Sequence, residues 1–208
     1  MSSRNGLFIT FDGPNGVGKT TILEYVSSKL KSKNLDIYLT REPTNSDLGK
    51  FLKQYDKAYR GYSLACIAAA DRYYHIEKEI APALKANKIV LSDRYVDSSL
   101  VLQRIDNVEL KFIWEINKNV LIPDLSIIFT ASPQMLKQRL KSRSNLSFFE
   151  QDDNSREKEL EYYNHTAEFL KKKGFNVFII DNESPSIEEN SEIITAKIFD
   201  LINQSRIG

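Results

Sequence analysis

Apolar residues along this chain fall into short continuous runs, separated by longer segments in which they recur every three or four positions. Runs of strand length lie at Leu7–Phe11, Asp36–Thr40, Lys88–Ser92, Leu125–Thr130 and Phe175–Asp181. Within them Ile89-Val90-Leu91 and Ile127-Ile128-Phe129 are apolar at successive positions, which suits strands covered on both faces. The intervening amphipathic segments predict helices at Lys19–Lys31, Leu48–Gln54, Ser63–Ala86, Val108–Lys118, Pro133–Lys141, Ser155–Lys173 and Ser186–Gln204. Strands alternating with helices predict an α/β fold, a parallel sheet covered by helices. Start and stop signals agree: Ser132 caps a helix whose first turn holds Pro133, Ser186 precedes Glu188 and Glu189, and Gly174 suits a left-handed cap.

No repeat, low-complexity tract or Pro/Gly-rich linker divides the 208 residues, so one domain over 1–208 is expected. The least patterned stretch, Ser142–Ser155, carries the polar tetrad Glu150-Gln151-Asp152-Asp153. It reads either as a solvated loop or as a mobile lid. A composition of 41% hydrophobic and 27% charged residues fits a packed globular chain rather than a disordered one. Basic and acidic residues, 29 against 28, nearly cancel, so net charge argues for neither a nucleic-acid nor a membrane partner. One cysteine, Cys66, closes no internal disulfide, and two histidines without further cysteines make no ordinary structural zinc site. No targeting signal or membrane-length apolar run is read, and a reducing, cytoplasmic setting is expected.

The strongest chemical signal is Gly13-Pro14-Asn15-Gly16-Val17-Gly18-Lys19-Thr20, a match to G-x-x-x-x-G-K-S/T between a strand and a helix. Its glycines let successive backbone N–H groups turn inward on phosphate oxygens, and the following helix adds its positive end. Lys19 is placed to reach the β- and γ-phosphates and Thr20 to offer a hydroxyl to Mg2+. Gly13, Asn15, Gly16, Val17, Gly18, Lys19, Thr20 and Thr21 are therefore the expected triphosphate-binding residues. Asp93 ends the strand Lys88–Ser92, and ligands of parallel sheets gather beyond strand carboxyl ends. Beside the P-loop it reads as a metal-orienting carboxylate with Thr20; alone it would read as a turn or cap residue.

Four blocks together resemble the thymidylate kinases: Phe11-Asp12-Gly13-Pro14 with the P-loop, Thr40-Arg41-Glu42-Pro43, Asp93-Arg94-Tyr95 followed by Ser98-Ser99 and Gln103, and Pro123-Asp124-Leu125. The resemblance implies a three-layer P-loop NTPase fold with five parallel strands in order 2-3-1-4-5, and usually a homodimer. It implies transfer of the ATP γ-phosphoryl, with Mg2+, to deoxythymidine monophosphate (dTMP). It also casts Arg94 as the grip on the acceptor monophosphate, Arg72 as facing the thymine ring, and Ser99 and Gln103 as partners of base and sugar. Planar guanidinium forks suit both tasks. Glu42-Pro43 resembles a cis-proline turn shaping the acceptor pocket, with Arg41 at its edge and Lys53 near the acceptor phosphate. Lys19, Asp93, Arg94, Asp12 and Arg143 form the implied catalytic set. Arg139 and Arg143, four residues apart, resemble arginines that close on the triphosphate, although with Lys137 and Lys141 they also read as a solvated basic face.

Several acceptor-side positions depart from the family. Asn15 stands where an acidic residue is usual, Lys53 replaces an arginine, Ala68 a stacking phenylalanine and Leu102 a tyrosine. Tyr73 or Tyr74 could replace the missing ring. After Arg143 the chain lacks an arginine-rich signature, and Phe148 and Phe149 read as a closing latch or as loop aromatics packed on the domain. These departures keep two alternatives open beside dTMP phosphorylation: a related phosphotransferase with another nucleotide or nucleoside-like acceptor, or a non-catalytic nucleotide-binding regulator. No N-K-x-D guanine signature is present.

Overall fold

A computed structural model describes residues 6–55, 58–141, 153–183 and 186–207. In chain order its elements are β1 (Phe8–Asp12), α1 (Lys19–Ser32), β2 (Ile37–Arg41), α2 (Asp47–Tyr55), α3 (Gly61–His75), a π-helical turn (Ile76–Ile80) and α4 (Ala81–Lys85). They continue with β3 (Ile89–Asp93), α5 (Val96–Ile105), α6 (Leu110–Asn117), β4 (Leu125–Thr130), α7 (Pro133–Lys141), α8 (Asp153–Lys172), β5 (Val177–Asp181) and α9 (Ile187–Ile207). The five strands form one all-parallel sheet in the order β2-β3-β1-β4-β5.

Alternation along the central strands sorts their side chains between two cores. Ile9 and Phe11 of β1 and Ile127 and Phe129 of β4 face α1 and α9, where Ile22, Val26, Leu30, Ile194 and Ile198 are buried. Phe8 and Val90 point the other way, onto Tyr95, Val96, Leu100 and Ile113. Asp12 shares the Phe8 side of β1, and therefore meets α5. Register completes the arrangement: Phe11 lies opposite Asp93, so β1 and β3 end side by side. The Arg94 N–H donates to the Phe11 carbonyl at 2.9 Å and the Glu42 N–H to the Asp93 carbonyl at 3.0 Å, which carries the sheet's order into the loops above it.

Every expected strand and helix is present within a few residues. Ser186 and Glu189 form a reciprocal cap, at 2.7 and 3.1 Å, and Gly174 is left-handed with φ 88°. Helix α5 is an addition to the sequence reading. Val96 to Val101 and Gln103 are all buried, polar Asp97, Ser98, Ser99 and Gln103 included, so no apolar 3.6-residue period marks its inner face. The helix expected over Ser63–Ala86 is split by the π turn. Pro82, which cannot donate a backbone hydrogen bond and whose ring crowds the carbonyl four residues earlier, follows that widened turn. Most of the stretch read as a loop or lid, with Arg143, Phe148 and Phe149, lies outside the described residues.

Asp97, fully buried in the first turn of α5, accepts a hydrogen bond from Ser126 Oγ at 2.7 Å, while its Oδ2 has no partner. Burial, then the neighbouring Asp12 charge, pushes its carboxyl up to about 7 from 3.8. The folded state thus binds the extra proton between those values, and this contribution to stability falls as pH rises through that window. Between about pH 5 and pH 8 the urea midpoint of the natural protein should therefore fall more than that of Asp97→Asn. Parallel pH profiles for the two proteins would contradict the assignment.

Candidate active site

The P-loop wraps above β1 because its glycines occupy backbone conformations closed to other residues. Gly13 sits at φ 144°, and a Cβ there would lie 2.6 Å from the Phe129 carbonyl oxygen. Gly18 caps α1 at φ 96°. The cavity inside the loop is lined by Asn15, Gly16, Gly18, Lys19, Thr20, Thr21, Asp93 and Arg94. Lys19 is buried and its Nζ donates to the Gly13 and Pro14 carbonyls at 2.7 and 2.8 Å. Burial, then the Arg94 charge, lowers this ammonium from 10.5 to about 7. Thr20 Oγ1 donates to Asp93 Oδ2 at 2.7 Å, joining the two expected metal-orienting groups.

Asp12 does not face the loop cavity as Lys19, Asp93 and Arg94 do. It is completely buried, and its carboxylate accepts from the N–H groups of Gly13, Tyr95 and Ser98 at 2.9, 3.0 and 3.0 Å. It also accepts from Ser98 Oγ at 2.7 Å and Tyr163 Oη at 2.8 Å. The bonds to Tyr95 and Ser98 make it the cap of α5, supplied from another strand. Burial, then the Asp12 charge, pushes the Tyr163 phenol well above its ordinary value, so it remains a donor.

Arg94 has the unusual left-handed φ of 75° for a non-glycine residue, held by its N–H on Phe11 and by Ser92 Oγ on its carbonyl at 2.8 Å. Its guanidinium donates to Ser98 Oγ at 2.8 Å and to Asn15 Oδ1 at 2.6 Å. Arg94 lines the P-loop cavity and also a second pocket with Glu42, Pro43, Ala68, Arg72, Ser99, Leu102 and Gln103. The Glu42-Pro43 bond is cis, as expected. Arg72, 3% exposed, donates to Glu42, Asn117 and Ser99 at 2.9, 2.6 and 2.8 Å, and to the Tyr95 carbonyl at 3.2 Å. It is therefore a buried, oriented cation rather than a surface charge, and Gln103 is buried rather than solvent-facing.

Other expected positions lie elsewhere. Arg41 lines a third, larger cavity of about 330 Å³ that it shares with Thr20, Asp93, Tyr38 and Glu79. Lys53 does not line the Arg72 pocket; its Nζ braces the β2–α2 loop on the Thr44 carbonyl at 2.9 Å. Arg139 donates to the Val17 and Asn182 carbonyls at 3.0 and 3.2 Å, gripping the P-loop from outside beside Asn182, whose amide also reaches Val17 at 2.5 Å. Arg143 lies outside the described residues. Tyr74 is exposed and Tyr73 packs on the core, and neither lines the Arg72 pocket, whose wall at Ala68 and Leu102 is aliphatic.

Sequence reasoning missed several polar residues that hold these pockets. Buried Glu159 on α8 accepts from the Asn15 N–H at 3.3 Å, Asp71 takes both the Thr44 N–H and hydroxyl at 2.8 and 2.5 Å, and Asn117 pairs with Arg72. Each lies in a helix with no local motif to set it apart from its polar neighbours. Among the described residues no group of three or more His, Cys, Asp or Glu side chains could hold a metal, and no helix is long and apolar enough to cross a membrane.

The sheet order and the glycine cradle at the end of β1 define a P-loop NTPase α/β protein. Comparison narrows this class. The family described as Thymidylate kinase matches residues 11–194. A probable thymidylate kinase of Pyrococcus horikoshii is 32% identical over 206 residues, covering 95% of this chain and 98% of its own. That of Pyrococcus abyssi is 31% identical over 201 residues, 93% and 96%. A thymidylate kinase of an Exiguobacterium species is 33% identical over 158 residues, covering 72% and 74%. The chain belongs to the thymidylate kinase family.

Because burial and the Arg94 charge hold Lys19 near 7, a bound nucleoside triphosphate should draw a proton onto it. At about pH 8, calorimetric titrations in buffers of different ionisation enthalpy should show net proton uptake on binding, lost in Lys19→Met. Heats independent of buffer at that pH would reject it.

Proposed function

We propose that the protein transfers the γ-phosphoryl group of ATP to dTMP, giving ADP and dTDP. The observation that carries this reading is Arg94, a single guanidinium lining both the P-loop cavity and the adjoining Arg72 pocket. A cation shared by two adjacent pockets suits in-line transfer between two phosphates, where positioning and charge stabilisation supply most of the rate.

On the donor side, Lys19 exchanges the Gly13 and Pro14 carbonyls for phosphate oxygens, while the P-loop N–H groups cradle the chain. An acceptor phosphate oxygen attacks the γ-phosphorus as the bond to the β-phosphate oxygen breaks. Arg94 balances the charge spread over the transferring group. On the acceptor side four donor contacts of Arg72 are spent on protein oxygens, leaving an Nη1 hydrogen for a base carbonyl. Ser99 and Gln103 complete the polar edge, against the aliphatic wall of Ala68 and Leu102. Gln103 lines this pocket, and its side-chain amide offers both a donor and an acceptor.

The Thr20 hydroxyl and Asp93 carboxylate fit Mg2+, a hard ion that binds through one or two protein oxygens, substrate phosphates and water. It would neutralise charge across the β- and γ-phosphates. The family resemblance supports a homodimer, and a lone thiol at Cys66 fits the cytoplasm.

A coupled assay of ADP release with ATP, Mg2+ and a panel of nucleoside monophosphates tests the reading. Turnover should be fastest with dTMP; dependence on a different acceptor, or none, would refute it. Arg94→Ala should lower kcat/KM for dTMP about 100- to 1000-fold with little change in ATP affinity, and Lys19→Ala should abolish most transfer in a folded protein. If Arg94→Ala altered only ATP affinity, the acceptor-side role would be wrong.

A further inference from the structure

We infer that His75 is a positioning residue for the acceptor pocket, whose Nδ1–H fixes Glu42 and, through Glu42, the guanidinium of Arg72. The inference rests on the reading of the Arg72 pocket as the acceptor site. Three contacts run in series behind that pocket. Thr40 Oγ1 lies 3.0 Å from Glu79 Oε2 and 2.6 Å from His75 Nε2, and His75 Nδ1 lies 3.2 Å from Glu42 Oε1. Tyr38 Oη donates to the same Glu79 oxygen at 2.9 Å.

Both ends of this chain are carboxylates, which only accept when ionised. Thr40 Oγ1 has one hydrogen for both Nε2 and Glu79, and Glu79, partly exposed, also receives Tyr38, so the Nδ1 contact with Glu42 alone fixes a ring hydrogen. A ring with its hydrogen on Nε2 alone would turn the Nδ1 lone pair on the Glu42 carboxylate. His75 is completely buried, so no water can repair such a mismatch. The charged groups around the ring are Glu79, 3.8 Å from Nε2, Glu42 of the cis-proline turn, and Arg72, one helical turn before His75.

Glu42 is the joint. Its Oε1 faces His75, and its Oε2 takes Arg72 Nε at 2.9 Å and lies 2.8 Å from an Arg72 terminal nitrogen. Arg72 and His75 stand three residues apart on one face of α3, so both reach the same carboxylate. With one oxygen on each, the carboxylate cannot rotate without breaking a charged contact, and the guanidinium plane of Arg72 is set. His75 touches no substrate; its effect reaches the pocket through Glu42.

The protein has two histidines, and His165 is solvent-exposed, so ring-nitrogen resonances are readily assigned. In nitrogen-15 spectra of the full-length protein, Nδ1 of His75 should carry hydrogen; hydrogen on Nε2 alone would overturn the inference. In kinetics, His75→Gln should raise KM for dTMP about 5- to 20-fold, with KM for ATP and kcat held within about threefold. An unchanged KM for dTMP, or equal rises for both substrates, would overturn it. Should His75→Gln fail to fold, Thr40→Val breaks the same chain at its middle: it should raise KM for dTMP, and Thr40→Ser should restore it. No KM change in Thr40→Val would equally count against the inference. If the natural protein ignores dTMP altogether, the functional reading fails, while the spectrum still decides the state of His75.

Discussion

The carboxylate of Asp12 sits where four parts of the molecule meet, the end of β1, the start of the P-loop, the first turn of α5 and the middle of α8. A buried ion costs several kcal/mol to desolvate, and only a full shell of donors offsets that cost. Asp12 has such a shell, three backbone N–H groups and two hydroxyls, each hydrogen bond to a charged acceptor contributing about 1.5–3 kcal/mol. Losing any one element would strand the charge. The P-loop, α5 and α8 are therefore held in one geometry, and the two pockets inherit their spacing from it.

Arg94 shows how that geometry reaches the chemistry. Its left-handed backbone is tolerable because the sheet ladder continues through its N–H, and α5, capped by Asp12, presents Ser98 to its guanidinium. Asn15 spends its carbonyl on Arg94. Negative charge reaches this corner from α8, where Glu159 accepts the Asn15 N–H. Beyond the acceptor pocket the pattern recurs. Glu42, Asp71 and Glu79 are carboxylates that hold cations, hydroxyls or loop amides in place, so the walls of both pockets are set by ion and hydrogen-bond networks over an apolar base.

Local signals and long-range packing divide this protein cleanly. The strands were legible because Ile89-Val90-Leu91 and Ile127-Ile128-Phe129 must be covered on both faces, and the P-loop because its chemistry is carried by eight consecutive residues. Buried polar residues hid α5: Asp97, Ser98, Ser99 and Gln103 lie inside, so polarity along this helix does not mark its outer face. Arg94 was legible through a motif block and Arg72 through the family resemblance alone, and the structure places Arg41 and Lys53 off the Arg72 pocket, on a neighbouring cavity and a loop carbonyl.

What the amino-acid order determined by itself was the alternation of elements, the phosphate cradle and the residue types able to grip anions, because those depend on contacts within a few positions. Only the tertiary structure decided which polar side chains meet. Tyr163 and Asp12 are 151 positions apart, Arg94 and Asn15 79, and His75 and Glu42 33. Partners so distant leave no periodic trace in the chain; they are chosen when the sheet's register and the helix packing remove water, and each buried polar atom must find a donor or acceptor among whatever the fold has brought beside it.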